Sequence, residues 1–172
     1  MQIDKNKKII LDADVIIHFI KGNLIGILPQ IFTNKYYLLD YVFNEVFKGS
    51  LRTEVENLFR FGLVHELEFE NNLEVVKEFA RLKKKHGIGE SACMAYCKYN
   101  KDVIGSSNIK DIKIYCEQNN IQYITTMDFL LEAYHKKILT EAECDEFIYN
   151  VKSTGSILPV NTIQEYILTL QQ

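Results

Sequence analysis

The sequence predicts an α/β fold built on a parallel sheet, and three observations predict it. Short apolar runs recur along the 172 residues, at 8–12, 36–40, 63–69, 102–106 and 121–125. Several of these runs show no polar alternation, as expected of strands covered on both faces. Stretches with helical periodicity separate them, so strand and helix alternate, and that order calls for parallel strands joined by helical crossovers.

Taken in order, Lys8-Ile-Ile-Leu-Asp12 is a strand ending in a carboxylate, and a helix is expected at 13–20. Tyr36-Tyr-Leu-Leu-Asp40 repeats the design, with helices expected at 41–48 and 51–61. The run at 63–69 precedes helical patterns at 73–85 and 88–99; Asp102-Val-Ile-Gly-Ser106 leads into one at 109–118; Ile121-Gln-Tyr-Ile-Thr125 closes a sheet of about five strands. Beyond it only helices are predicted, at 127–135, 140–151 and 162–170, and Thr140-Glu-Ala-Glu143 has the spacing of a capping box. No repeat or Pro/Ser-rich linker divides the sequence, so residues 1–172 are read as a single domain whose segment 126–172 is a helical extension.

Composition supports a packed core: 47% of residues are hydrophobic and 25% charged, with only 2 Pro and 8 Gly. A chain of this length can bury about 70% of its unfolded surface. Its formal net charge of −3 excludes an overall basic nucleic-acid binder, so a polyanion would have to meet a local basic patch. The apolar stretch near the start is interrupted by Asp12 and Asp14 and is too short to span a bilayer. No signal peptide is visible, and Cys93, Cys97, Cys116 and Cys144 contain no Cys-x-x-Cys pair. Buried, reduced thiols, a cytoplasmic location and no membrane partner are expected.

The carboxylates are the informative residues. Asp12 closes the first strand and Asp14 follows in the turn; Glu45 lies on the helix after the second strand; Glu90 opens a small-residue helix after Gly87 and Gly89. Ser106-Ser107-Asn108-Ile-Lys-Asp111 leaves the fourth strand. Each has an ordinary reading as a helix cap, a dipole complement or an exposed helix position. Their conjunction at the carboxyl edge of one sheet, where ligands of α/β folds gather, points instead to a shared cation. Clustered carboxylates repel and raise each other's pKa unless neutralised. Oxygen donors without His or Cys select Mg²⁺ or Mn²⁺, which activate water for attack on phosphorus.

These segments resemble the PIN-domain family of Mg²⁺/Mn²⁺-dependent nucleases, which includes the VapC-type toxins of toxin–antitoxin systems. Ile9-Ile-Leu-Asp12-Ala-Asp14 is similar to the family's opening strand, Glu45 in Tyr41-Val-Phe-Asn-Glu45 to its second acid, and Gly87-Ile-Gly-Glu90-Ser-Ala to a variant of its third motif. The segment from Asp102 through Ser107 and Asn108 to Asp111 is similar to the last motif, with Asn108 where many relatives carry Asp. Thr125-Thr-Met-Asp128 and Gly155-Ser-Ile-Leu-Pro159 resemble the continuation in longer prokaryotic PIN-like proteins.

The resemblance implies a three-layer α/β/α sandwich. It also implies an endoribonuclease leaving 5′-phosphate and 3′-hydroxyl ends, with Asp12, Glu45, Glu90 and Asp111 as metal ligands and catalytic residues. Asp14, Ser107, Asn108 and Asp128 would serve as substrate-binding or supporting residues. RNA, a cognate antitoxin and a second copy of the chain are the implied partners. A module whose metal site has degenerated, binding protein or nucleic acid, is the alternative, and Asn108 is its support.

Other constellations are weaker. His18, His65, His86 and His135 are scattered, and no Gly-x-Gly-x-x-Gly or phosphate-loop Lys follows a strand. Arg81-Leu-Lys-Lys-Lys85-His86 is either a solvated helix end or a rail for phosphates.

Overall fold

A computed structural model describes residues 2–69 and 72–171; Met1, Glu70, Asn71 and Gln172, which the single-domain expectation includes, lie outside the described residues. The five expected strands form, shorter than their apolar runs: β1 Ile9–Leu11, β2 Tyr36–Leu39, β3 His65–Leu67, β4 Val103–Gly105 and β5 Tyr123–Ile124. They make one all-parallel sheet in the order β3-β2-β1-β4-β5, with Leu11 aligned to Leu38 on one side and Gly105 on the other. The central strand is covered on both faces, since Ile9, Ile10 and Leu11 are fully buried. That is why its sequence carries no alternation.

The expected helices are present as α1 Ala13–Lys21, α3 Asp40–Val46, α4 Gly49–Arg60, α5 Leu73–Leu82, α6 Ile88–Asn100, α7 Ile109–Asn119, α8 Thr126–His135, α9 Glu141–Ser153 and α10 Ile163–Thr169. One element has no counterpart in the sequence reading: the four-residue α2 Leu28–Ile31, which opens with Pro29 near its start and is too brief to display a period. Two expected helices stop early. α3 ends before Phe47 and Lys48, which take extended backbone, and α5 ends at Leu82, ahead of Lys83-Lys84-Lys85, which form a turn.

α5, α6 and α7 pack together, α6 against β1 and β4, while α1, α8 and α9 form a second packed group that α2 and α10 join through α8. The sheet lies between, giving the three-layer sandwich. The terminal helices are thus bound into the core: Phe147 of α9 stacks on Phe19 of α1 at a centroid distance of 5.0 Å, and Phe129 of α8 meets Phe19 and Phe32. The four cysteines are free and buried, as expected. Among the described residues no helix is long and apolar enough to cross a membrane.

Candidate functional site

The strand order fixes where a ligand can be held. From β1 the chain builds outward through β2 and β3, then returns to place β4 on the other flank of β1. The segments leaving β1 and β4 therefore diverge, and the crevice between their carboxyl ends is the switch point at which open α/β sheets bind ligands. Asp12 and Asp14 leave β1 there, and Ser106, Ser107 and Asn108 leave β4.

Asp12 is the deepest acid, only 3% exposed. Its Oδ1 accepts from the Ala13 N–H at 2.8 Å, capping α1 as a helix-start aspartate should. Its Oδ2 accepts from the Ser106 hydroxyl at 3.2 Å, and the same hydroxyl lies 3.3 Å from Asp14 Oδ2. Asp14 also accepts from the Ser107 N–H at 2.8 Å and the Val15 N–H at 2.6 Å. One hydroxyl thus brackets two carboxylates, and both pay for it electrostatically. Burial, then the charges of Asp14 and Glu90, push Asp12 well above the ordinary carboxylate range. Asp14 is pushed up to about 6, mainly by burial, with Glu90 adding to it and the Ser107 and Val15 amides opposing it.

Glu90 reaches this place from the first turn of α6. Two glycines make room for the acids, Gly89 for Asp12 and Gly87 for Glu90. A Cβ at Gly89 would fall 2.5 Å from Asp12 Oδ1, and one at Gly87 would fall on Glu90 Oε2. Hence Asp12, Ala13, Asp14, Ile17, Glu45, Val46, Ile88, Gly89 and Glu90 line one open cavity of about 390 Å³, with Glu45 exposed on its rim from the end of α3.

Asn108 stands at the cap position of α7, but its side chain makes no cap hydrogen bond. Its Nδ2 instead donates to Glu90 Oε1 at 2.9 Å and to Asp111 Oδ2 at 2.5 Å, so it joins the two acids. Asp111 consequently lines the next cavity, with its Oδ1 3.4 Å from His86 Nδ1. Asp128 stands apart. Its carboxylate is taken up in a capping box with Thr125 and by the Tyr166 hydroxyl at 2.8 Å.

Among the described residues no three His, Cys, Asp or Glu side chains are grouped so that together they could hold a metal ion. Mg²⁺, however, takes one or two carboxylates and completes its shell with water. The Asp12–Asp14 pair meets that smaller requirement: its donors are all oxygen, and both acids are raised by burial, with no cationic side chain among their hydrogen-bond partners in the described residues.

Three residues to which the sequence assigned no site role, His18, Ser106 and Thr126, support this edge. Buried His18 Nδ1 lies 2.9 Å from Thr126 Oγ1, and Ser107 Oγ donates to Thr126 Oγ1 at 2.6 Å while accepting from the Thr126 N–H. Ser106 brackets the aspartates. Small hydroxyl residues directly after the fourth and fifth strands were the available signal. A cavity of about 740 Å³ lies elsewhere, among residues such as Asn6, Thr33 and Asn34 that precede β1 and β2. It is at the amino ends of the strands, away from the acids.

No family model matches the chain, and no curated protein matches it. The functional reading therefore rests on the geometry.

Proposed function

We propose that the chain is a Mg²⁺- or Mn²⁺-dependent endoribonuclease of PIN type. The observation that carries this reading is the pair of carboxylates, Asp12 and Asp14, bracketed by the single Ser106 hydroxyl at the sheet's switch point, with Glu90 raising both. A bound divalent ion would supply charge neutralisation at the phosphodiester and make a water acidic enough to attack. Asp12 and Asp14 would hold that ion from below. Glu90 and Glu45 face the same cavity from α6 and α3, placed to take water-mediated contacts and the proton released on attack. Asn108 would fix Glu90 Oε1, and the Ser107 amide would fix Asp14. A cytoplasmic setting, a small antitoxin covering the acidic cavity, and a homodimer belong to the same reading.

The test is Mn²⁺-dependent cleavage of matched single-stranded RNA and DNA by the native chain and by Glu90→Gln. RNA cleavage that the variant loses supports the proposal; equal cleavage by both overturns the site. One observation favours the second reading, a non-catalytic module: Asn108 occupies Glu90 and Asp111 with neutral hydrogen bonds where a further carboxylate would strengthen a metal site. Absence of Mn²⁺ binding at millimolar metal, measured by calorimetry, would decide for it.

A further inference from the structure

Linked to the acidic cavity through Asn108, whose Nδ2 donates to Glu90 of that lining and to Asp111 of the next, is a cleft of about 270 Å³ with several basic side chains. Arg81 and Lys85 enter it from the end of α5 and the turn that follows, His86 from the same turn, and Lys110 from the first turn of α7. Arg81 is already committed, since its Nε and Nη2 donate to Glu78 at 2.9 and 2.8 Å. Lys85 and Lys110 are exposed, and among the described residues the ammonium group of neither has an ion-pair or hydrogen-bond partner. Asp111 is the acid on the wall, turned toward Asn108 and His86.

Lys110 is in the wrong place for the helix it starts. A cation in the first turn opposes the macrodipole and the free N–H groups, both of which favour an anion. Lys85, across the cleft, belongs to a run of three lysines that ends α5. Two ammonium groups from different elements line one cleft at a helix start, and the carboxylate of Asp111 on the same wall is engaged by Asn108 and His86 and pairs with neither. Exposed Ile114 and the Tyr115 ring give the cleft an apolar shoulder, suited to a sugar beside a phosphate.

We infer that this cleft, with Lys85 and Lys110 as its cations, holds a backbone phosphate of single-stranded RNA next to the one presented to the acidic cavity. The inference rests on the proposed nuclease reading for the identity of the polyanion, and Asn108 is the link between the two phosphate positions. Lys85 and Lys110 are binding residues here and touch no reacting atom.

The experiment is fluorescence anisotropy of a short unstructured RNA with the full chain in EDTA, so that binding is read without cleavage, over a series of salt concentrations. Lys85→Ala and Lys110→Ala each weaken binding several-fold, and the two together flatten the salt dependence by about 0.7 in log–log slope, the value for one single-strand phosphate contact. Lys84→Ala, next in sequence but outside the cleft, is the control and changes both far less. Equal effects of all three substitutions, or no RNA binding at low salt, overturn the inference, as does inorganic phosphate binding undiminished by the two cleft substitutions. RNA that binds through the cleft yet is not cleaved with Mn²⁺ leaves the cleft standing and removes the nuclease. Cleavage whose KM is unchanged in Lys85→Ala and Lys110→Ala does the reverse.

Discussion

Asp12 carries an electrostatic cost. Its carboxylate is buried, raised by burial and by the neighbouring charges of Asp14 and Glu90, and has hydrogen-bond donors but no cationic side chain among its partners in the described residues. Asp12→Asn keeps the shape and removes the charge, so in metal-free buffer at neutral pH the variant is expected to melt higher than the native chain. A gain of about 1 kcal/mol corresponds to roughly 2–4 °C at this chain length. Addition of Mn²⁺ reverses the order: the native chain gains about 2.7 kcal/mol when the ion is at 100 times its Kd, and the variant gains little. Thermal melts of both proteins with and without Mn²⁺ check this, and an Asp12→Asn chain that melts lower without metal would show the charge to be structural. Gly89 tests the same point through space. Gly→Ala inside a helix is ordinarily worth up to about 1 kcal/mol of added stability. Here the new methyl would stand 2.5 Å from Asp12 Oδ1. Gly89→Ala is therefore expected to abolish the Mn²⁺-induced rise in melting temperature while the far-ultraviolet circular dichroism of the fold persists.

At the scale of elements, the terminal helices are the least obvious part of the structure and yet are fastened to its centre. Gly22 ends α1, and a Cβ there would lie 2.1 Å from Cδ2 of Phe147 in α9, inside the ring stack with Phe19. Gly22→Ala is expected to push Phe147 out of place and cost about 1–3 kcal/mol, the range for overpacking, measurable as a lower urea midpoint; Gly26→Ala, with open space around it, is the control. The helices and strands themselves were legible because each obeys a local rule: uniform apolarity in β1, and the reciprocal Thr140–Glu143 cap that starts α9. α2 was not legible, because four residues carry no period. Of the site, Asp12, Asp14, Glu45 and Glu90 could be assigned to one strand edge from sequence order, and they do line one cavity. Asp128 could have been read as the acid of a Thr125–Asp128 capping box, which has the spacing of the Thr140–Glu143 one, but its bond to Tyr166 and the bridge that Asn108 makes from Asp111 to Glu90 join distant segments that no spacing announces. His18 was passed over for the same reason, since its partner Thr126 is 108 residues away in the chain.

Across the whole molecule, the pH dependence of stability combines groups of opposite sign. Glu78, which accepts from Arg81, Lys98 and Tyr115, is held down at about 2, so its contribution is complete above its ordinary value near 4.5 and is lost as pH falls toward 2. Burial, helped by the Lys21 charge, lowers His18 to about 4 from 6.5. The fold accepts that proton less readily than the unfolded chain, and stability falls as pH drops from 6.5 to 4. Asp14 works the other way. Raised from 3.8 to about 6, it favours folding while protonated, and that advantage is lost as pH rises through 6. His18 and Asp14 therefore offset each other between pH 4 and 6, and the native melting curve alone will not reveal either. The difference between Asp14→Asn and the native chain reads the aspartate together with its charge on Asp12: in EDTA it is expected to be near zero at pH 4 and to grow to about 2 kcal/mol in favour of the variant by pH 7, after allowance for partial solvent screening. Saturating Mn²⁺ should cancel or invert that difference at pH 7, because the ion replaces the proton as the partner of the carboxylate pair. A difference independent of pH in EDTA would mean that Asp14 titrates as an ordinary surface acid, and the electrostatic case for a cation at the switch point would fail with it.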